Sequence, residues 1–136
     1  MHEDVKRHIN QAQEMVLLWD QHVESLFNSA KSEDDESLIN AGMNSFSFFY
    51  SAKYSKWNFQ RYIKYPDQYQ VDSSTRKVLE DLLAILNHVE FEAKTVWHLI
   101  ETKLKKSLPK SEWKKYLNIL EQKYGSSKFA VDLGSL

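Results

Sequence analysis

The first long segment, residues 5–26, reads VKRHINQAQEMVLLWDQHVESL and carries an apolar side chain at every third or fourth position without a gap. The members of this seam are Val5, Ile9, Ala12, Val16, Trp19, Val23 and Leu26. Their average spacing of 3.5 residues is the period at which one side of an α-helix faces a partner helix. The pattern predicts one long amphipathic helix over about 3–30.

A second seam of the same kind lies in residues 79–100, LEDLLAILNHVEFEAKTVWHLI. It consists of Leu79, Leu82, Leu86, Val89, Ala93, Val96 and Ile100. Asp72, Ser73 and Ser74 precede it, and side-chain oxygens of these residue types accept hydrogen bonds from the first N–H groups of a helix. We therefore predict a helix over about 74–106.

Polar breaks in the apolar pattern divide the chain into four helical segments. The last of these has an apolar side formed by Trp113, Leu117, Leu120 and Tyr124, and Gly125 is a typical residue to end it. Short connections favour antiparallel neighbours, so the predicted fold is all-α, an elongated up-down antiparallel four-helix bundle. The predicted helices span about 3–30, 38–65, 74–106 and 111–124, within one domain over 1–125, and a short C-terminal tail spans 126–136.

The composition excludes several classes of protein. The 136 residues include no cysteine, so disulfides, thiolate metal sites and cysteine nucleophiles are absent. With three glycines and two prolines the chain lacks the turn residues of a β-sandwich or barrel. No apolar run is longer than that of Met15 to Trp19, which is far shorter than the roughly 20 residues of a spanning helix. We expect a cytoplasmic protein without membrane insertion.

The charge is distributed unevenly along the chain. The formal net charge is −1, but residues 1–37 hold nine acidic and three basic residues, which leaves +5 on the remainder. No acidic residue occurs between Ser37 and Pro66, whereas four basic ones do: Lys53, Lys56, Arg61 and Lys64. Helices usually mix both signs for solubility, so this acid-free stretch marks the second helix as unusual.

The second predicted helix also carries too many apolar side chains for one face. Residues 46–69 hold ten of the eighteen aromatic residues. One row, expected to face the core, contains Ile39, Met43, Phe46, Tyr50 and Trp57. Another row, on the opposite side of a helical wheel, contains Ala41, Ser45, Phe48, Ala52, Ser55, Phe59 and Tyr62. Gly42 is tolerable inside the helix if a neighbouring backbone approaches there.

Two interpretations of this doubled face remain open. In the first, the helix is central and its aromatic residues fill the core. In the second, the Phe48 and Phe59 row faces outward and binds another protein or a second copy of this chain, a role that aromatic residues beside arginine often fill. The residues of that hypothetical partner-binding surface are Phe48, Lys56, Phe59, Arg61, Tyr62 and Ile63. The leading function hypothesis is accordingly a regulator, inhibitor or adaptor.

Nucleic-acid binding is the alternative hypothesis for the same region. Residues 53–65 interleave basic and aromatic side chains, which together neutralise phosphates and stack on bases. The isoelectric point near 6.5 and the acidic first third of the chain argue against it, because nucleic-acid-binding domains are usually strongly basic.

No catalytic motif is present. The five histidines lack the Glu-x-x-His spacing of bundle metal sites, and the nearest candidate, His88 with Glu92, offers only two ligands. A nucleophile elbow and a glycine-rich phosphate loop are also missing. We expect a non-enzymatic protein without cofactor or bound metal, and a bundle metalloenzyme is the third and least supported hypothesis.

Overall fold

Four helices make up the computed structural model, which describes residues 1–124. They are α1 (Glu3–Ser29), α2 (Asp35–Lys64), α3 (Ser73–Ser107) and α4 (Lys110–Tyr124). The prediction of an all-α helical bundle is confirmed, and each predicted helix boundary falls within three residues of the observed one. The predicted tail at 126–136 lies outside the described residues.

Aspartate side chains begin the two central helices. Asp34 accepts a hydrogen bond from the backbone N–H of Ser37 at 3.0 Å, and Asp72 accepts one from Thr75 at 2.8 Å. Backbone hydrogen bonding favours the carboxylate form, so the pKa of Asp34 and that of Asp72 both lie below the usual aspartate value. Of the three predicted caps before α3, Asp72 is the one that occupies the N-cap position.

Successive helices run antiparallel, as the sequence predicts. His8, near the start of α1, contacts Tyr62, near the end of α2, whereas Trp19, later in α1, contacts Phe48, earlier in α2. The two helices therefore run in opposite directions. The same reversal relates α2 to α3 and α3 to α4. At 1.5 Å per residue α3 is about 50 Å long, whereas the 15-residue α4 reaches only about 22 Å.

Helix α2 lies at the centre of the bundle. Its most extensive packing is with α3, and α1 and α4 also pack against it. Tyr116 of α4 lies beside Gly42 of α2 and Trp97 of α3, which places α4 over the first part of α2. Within the described residues, α4 therefore packs on the first half of α2, beside Gly42.

Gly42 provides the space in which α4 packs. A Cβ atom at this position would overlap the Tyr116 hydroxyl and would lie 3.1 Å from Cγ2 of Ile100. The Tyr116 hydroxyl donates a hydrogen bond to the Ile39 carbonyl at 3.0 Å, and burial raises the pKa of this phenol. We expected a neighbouring backbone to require the glycine, but the group that does so is the end of a buried side chain.

Candidate functional site

The hypothetical partner-binding surface of α2 is divided between the core and the protein surface. Phe59 and Tyr62 are fully buried, so the prediction that their row faces outward is wrong for both. Ala41, Ser45, Ala52 and Ser55 of the same row are also buried, because these small side chains let α1 and α3 approach closely. The row is part of the core, as the first of the two interpretations has it.

Phe48 and Ile63 are partly buried against the same core. Phe48 packs edge-to-face on Trp19 of α1, with 5.1 Å between the ring centroids. Neither side chain has the exposure expected of the centre of a docking surface. The aromatic residues of this row therefore hold α1 against α2.

The row predicted to face the core is only partly inside it. Phe46 is buried, but Ile39, Met43, Tyr50 and Trp57 are partly exposed. The buried positions of α2 shift along its length: Phe46 and Phe49 are buried in the first half, where α4 packs beside Gly42, and Phe59 and Tyr62 are buried in the second half. The reason is that α2 has different neighbours in its two halves.

Lys56 is engaged within the bundle. Its Nζ lies 2.5 Å from a carboxylate oxygen of Glu90 on α3, and both side chains are largely buried, with 22% and 19% exposed. Salt and water screen an ion pair of this kind less than they screen an ion pair on the surface. Lys56 therefore serves the α2–α3 interface, contrary to its predicted place on a docking surface.

Arg61 is held by aromatic rings. Its guanidinium carbon lies 4.6 Å from the ring centre of Trp57, 5.2 Å from that of Tyr62 and 5.4 Å from that of Tyr69. Nη2 of Arg61 donates a hydrogen bond at 3.1 Å to the side chain of Asn58, which is buried. Sequence reasoning missed both Asn58 and Tyr69, because neither belongs to an apolar row nor to the acid-free basic set.

Two further cations of α2 also have aromatic neighbours. Nζ of Lys53 lies 5.6 Å from the ring centre of Phe49, and Nζ of Lys64 lies 5.5 Å from that of Tyr65. Among residues 1–124, no carboxylate forms an ion pair with Lys53, Arg61 or Lys64. We define the basic side of α2 as the surface formed by Lys53, Trp57, Gln60, Arg61 and Lys64, together with Tyr65 directly after the helix.

The basic side of α2 contains a shallow pocket. Its volume is about 330 Å³, and Trp57, Gln60, Arg61, Lys64 and Tyr65 line it. Two cations, one amide and two aromatic rings thus surround one concavity. This arrangement supplies hydrogen-bond donors and positive charge beside apolar ring surface.

The buried His8 of α1 contacts Tyr62 of α2, the core residue that packs beneath Arg61. Nδ1 of His8 hydrogen-bonds to the Tyr62 hydroxyl, and the two rings are stacked with centroids 5.8 Å apart. Burial lowers the pKa of His8 below its usual value and raises that of Tyr62. The charged and titratable groups around His8 are Asp4 and Arg7 on α1 and Tyr54, Arg61 and Tyr62 on α2.

Protonation of His8 is expected to destabilise the fold. Because the pKa of His8 is lower in the folded chain than in the unfolded chain, the unfolded state binds the proton more readily. The contribution of His8 to the free energy of unfolding should therefore be fully present well above pH about 6.5, the unfolded pKa, and should be lost progressively as the pH falls through that value. Urea unfolding between pH about 7.5 and 5 measures this loss, and His8→Gln should reduce it. An equally steep loss in the variant would contradict the assignment.

A wider groove runs between α1 and α2. Its volume is about 570 Å³, and its walls carry no Asp, Glu, Lys or Arg side chain. The residues lining it are Leu18, His22, Ser25, Leu26, Ser29, Ser37, Asn40, Ala41, Asn44, Ser47 and Phe48. The small Ser and Asn side chains leave this space open between the two helices. Its neutral lining separates it chemically from the basic side of α2.

Candidate metal ligands and catalytic groups remain dispersed. Nε2 of His88 lies 3.1 Å from a carboxylate oxygen of Glu92, which in turn accepts a hydrogen bond from the indole of Trp19. Within residues 1–124 no group of three His, Asp or Glu side chains is placed to share an ion. His8 and His22 point to different regions, the first to Tyr62 and the second to the neutral groove.

Among the described helices, none combines the length and the hydrophobicity needed to cross a bilayer. Comparisons of the chain with protein-family models, with curated proteins and with solved structures find no match.

Proposed function

We propose that this protein is a non-enzymatic binding module, a regulator, inhibitor or adaptor, that recognises another protein through the basic side of α2. The observation that carries the proposal is the set of three cations, Lys53, Arg61 and Lys64, that contact aromatic rings and pair with no carboxylate of residues 1–124. Arginine and aromatic residues are enriched where proteins bind each other. The proposed compartment is the cytoplasm, which agrees with the absence of cysteine.

The surface proposed now differs from the one predicted from the sequence. Arg61 is common to both. Phe59 and Tyr62 instead lie in the core, where Tyr62 contacts Arg61, and Lys56 is paired with Glu90. Trp57 and Tyr65 supply the aromatic area in their place, and Tyr65 is 48% exposed. A surface of this mixed character suits a partner that offers negative charge beside apolar side chains.

Charge reversal on the basic side of α2 tests the proposal. The double variant Lys53→Glu/Lys64→Glu changes two exposed residues, so the fold should be retained and partner capture lost. Affinity capture from the native host, quantified by mass spectrometry, compares it with the wild type. The matched control is Lys114→Glu/Lys115→Glu, which changes two exposed lysines of α4. The same set of proteins captured by all three baits would contradict the proposal.

A second copy of the chain is included among the possible partners. Light scattering over a concentration series measures self-association directly. The partner is another copy if the average molar mass rises with concentration for the wild type and for the α4 control but remains that of a monomer for Lys53→Glu/Lys64→Glu.

Nucleic-acid binding is the second candidate function, and the same three cations favour it. A labelled oligonucleotide should then bind at low salt and dissociate by about 200 mM salt, because phosphate contacts release counterions. The ion pair of Lys56 with Glu90 and the net charge of −6 on residues 1–37 oppose this function. The protein-binding function is favoured if a protein partner stays bound at about 200 mM salt and the oligonucleotide does not bind even at low salt.

A further inference from the structure

The pocket on the basic side of α2 has a composition that points to a particular chemical group. Arg61, Lys64 and Gln60 supply N–H donors, and the pocket is lined by no acidic side chain. Trp57 and Tyr65 add aromatic surface beside these donors. A carboxylate accepts several hydrogen bonds and carries the complementary charge, and a planar guanidinium matches its two oxygens.

Arg61 is positioned before any ligand arrives. Its side chain is partly buried among Trp57, Tyr62 and Tyr69, and Asn58 accepts one of its hydrogen bonds. A cation held in this way loses less rotamer entropy on binding than a freely moving one. Arg61 is therefore the residue best prepared to bind an anionic group.

The positive charge of Arg61 is not neutralised within the described chain. Its nearest aromatic partners contribute cation–π attraction, which is weaker than pairing with a carboxylate that accepts two hydrogen bonds. Lys64 lines the same pocket and likewise pairs with no carboxylate of residues 1–124. The pocket is therefore lined by two cations that pair with no described carboxylate, and an anionic ligand would complement their charge.

A carboxylate of a protein fits this pocket better than the phosphates of a nucleic acid. A nucleic-acid strand needs a line of cations that follows its backbone. Lys56, which would extend such a line, is paired with Glu90. The aromatic walls of the pocket suit an apolar side chain next to a single acidic group.

We infer that the pocket lined by Trp57, Gln60, Arg61, Lys64 and Tyr65 binds a glutamate or aspartate side chain of an acidic partner segment, with Arg61 as the anchoring cation. This inference rests on the proposed function, since it names the chemistry of the partner at the same surface. It predicts that Arg61 contributes to specificity as well as to affinity, because a neutral amide in place of the carboxylate would lose the charge-assisted hydrogen bonds.

The test uses the full chain and a defined probe. A capped decapeptide of alternating glutamate and glycine is titrated into ¹⁵N-labelled protein, and the side-chain N–H signals of Trp57 and Arg61 are followed by NMR. The matched peptide carries glutamine in place of glutamate, and a decamer of thymidylate supplies phosphates. We expect the glutamate peptide to shift both signals, the glutamine peptide to leave them unchanged, and the oligonucleotide to bind more weakly than the glutamate peptide.

Variants assign the effect to Arg61. Arg61→Gln should weaken binding of the glutamate peptide by about tenfold or more, the size expected for a lost charge-assisted hydrogen bond. Arg61→Lys should give an intermediate loss, because it keeps the charge without the planar fork. Lys64→Gln changes an exposed residue and should also weaken binding with the fold intact, whereas Lys115→Gln on α4 should leave the affinity within about twofold.

Three results would overturn the inference. The glutamate and glutamine peptides could bind alike, the oligonucleotide could bind more tightly at the same signals, or both Arg61→Gln and Lys64→Gln could bind as the wild type does. These results are separable from a failure of the proposed function. If Lys53→Glu/Lys64→Glu still abolishes capture of a host protein while the pocket variants do not affect the peptide, the module binds its partner by another chemistry.

Discussion

Phe59→Ala is expected to lower the free energy of unfolding by about 3–5 kcal/mol. The Phe59 side chain is fully buried between the helices, so its removal sacrifices apolar contact and leaves a cavity that the surrounding helices fill only in part. Urea unfolding followed by circular dichroism measures the change. If Phe59 formed a docking surface instead, as one interpretation of the sequence has it, the loss would be small and partner binding would change.

Phe91→Ala is the matched control for this substitution. Phe91 lies on α3 and is 69% exposed, so the same truncation should change the free energy of unfolding by no more than about 0.5 kcal/mol. Phe48→Ala should fall between the two, because Phe48 is partly buried against Trp19. Equal effects of Phe59→Ala and Phe91→Ala would contradict the buried position of Phe59.

Gly42→Ala is expected to destabilise the bundle by about 1–3 kcal/mol, the range for overpacking a core. Helix propensity alone predicts the opposite sign, since alanine is favoured over glycine inside a helix by about 1 kcal/mol. The added methyl group would overlap the Tyr116 hydroxyl, and the buried tyrosine would have to move away from the Ile39 carbonyl. Thermal and urea unfolding of the variant determine the sign.

A double-mutant cycle with Tyr116→Phe isolates this contact. Removing the hydroxyl removes the closest obstacle, so Gly42→Ala should cost less in the Tyr116→Phe background than in the wild type, with a coupling of about 1 kcal/mol or more. Ile100 remains close in both backgrounds, at 3.1 Å from the added carbon, so some of the loss should persist. Additive effects of the two substitutions would mean that α4 does not pack on Gly42 as described.

The side of α2 that carries Phe46 has different surroundings in the two halves of the helix. Near Gly42, where α4 packs, Phe46 is buried but Ile39 and Met43 remain partly exposed. Further along α2, Trp57 and Arg61 of nearly the same side line a pocket open to solvent. In that same stretch Phe59 and Tyr62 are fully buried, so the core and the proposed binding surface lie on different sides of the same turns of α2.

The helices were predictable because their signals are local. The seams of α1 and α3 repeat at helical spacing over seven positions each, and all their members are buried or partly buried as predicted. The carboxylate of Asp72 could be anticipated as a cap because it acts within its own turn. The observed start of α2 at Asp35, earlier than predicted, reflects the cap formed by Asp34 within an acidic run that suggested a loop.

The binding surface could be predicted only in part. Arg61 belongs to the acid-free basic set and was identified from it, but the pairing of Lys56 with Glu90 joins residues 34 positions apart. The cluster around Arg61 likewise includes Tyr69, which lies in the turn after α2 and not on the helix itself. Contacts of this kind carry no periodic signal, so no spacing rule reveals them.

Periodicity and capping within the amino-acid sequence were enough to determine four helices and their approximate ends, since both depend on residues within a few positions, and the short connections favoured the antiparallel order. Only the tertiary structure decided which side of α2 is buried at each point along it. Both sides of that helix are apolar enough to enter a core, and the choice between them depends on where α1 and the short α4 happen to pack. Burial is a property of the assembled helices, because a side chain leaves water only when a distant segment covers it.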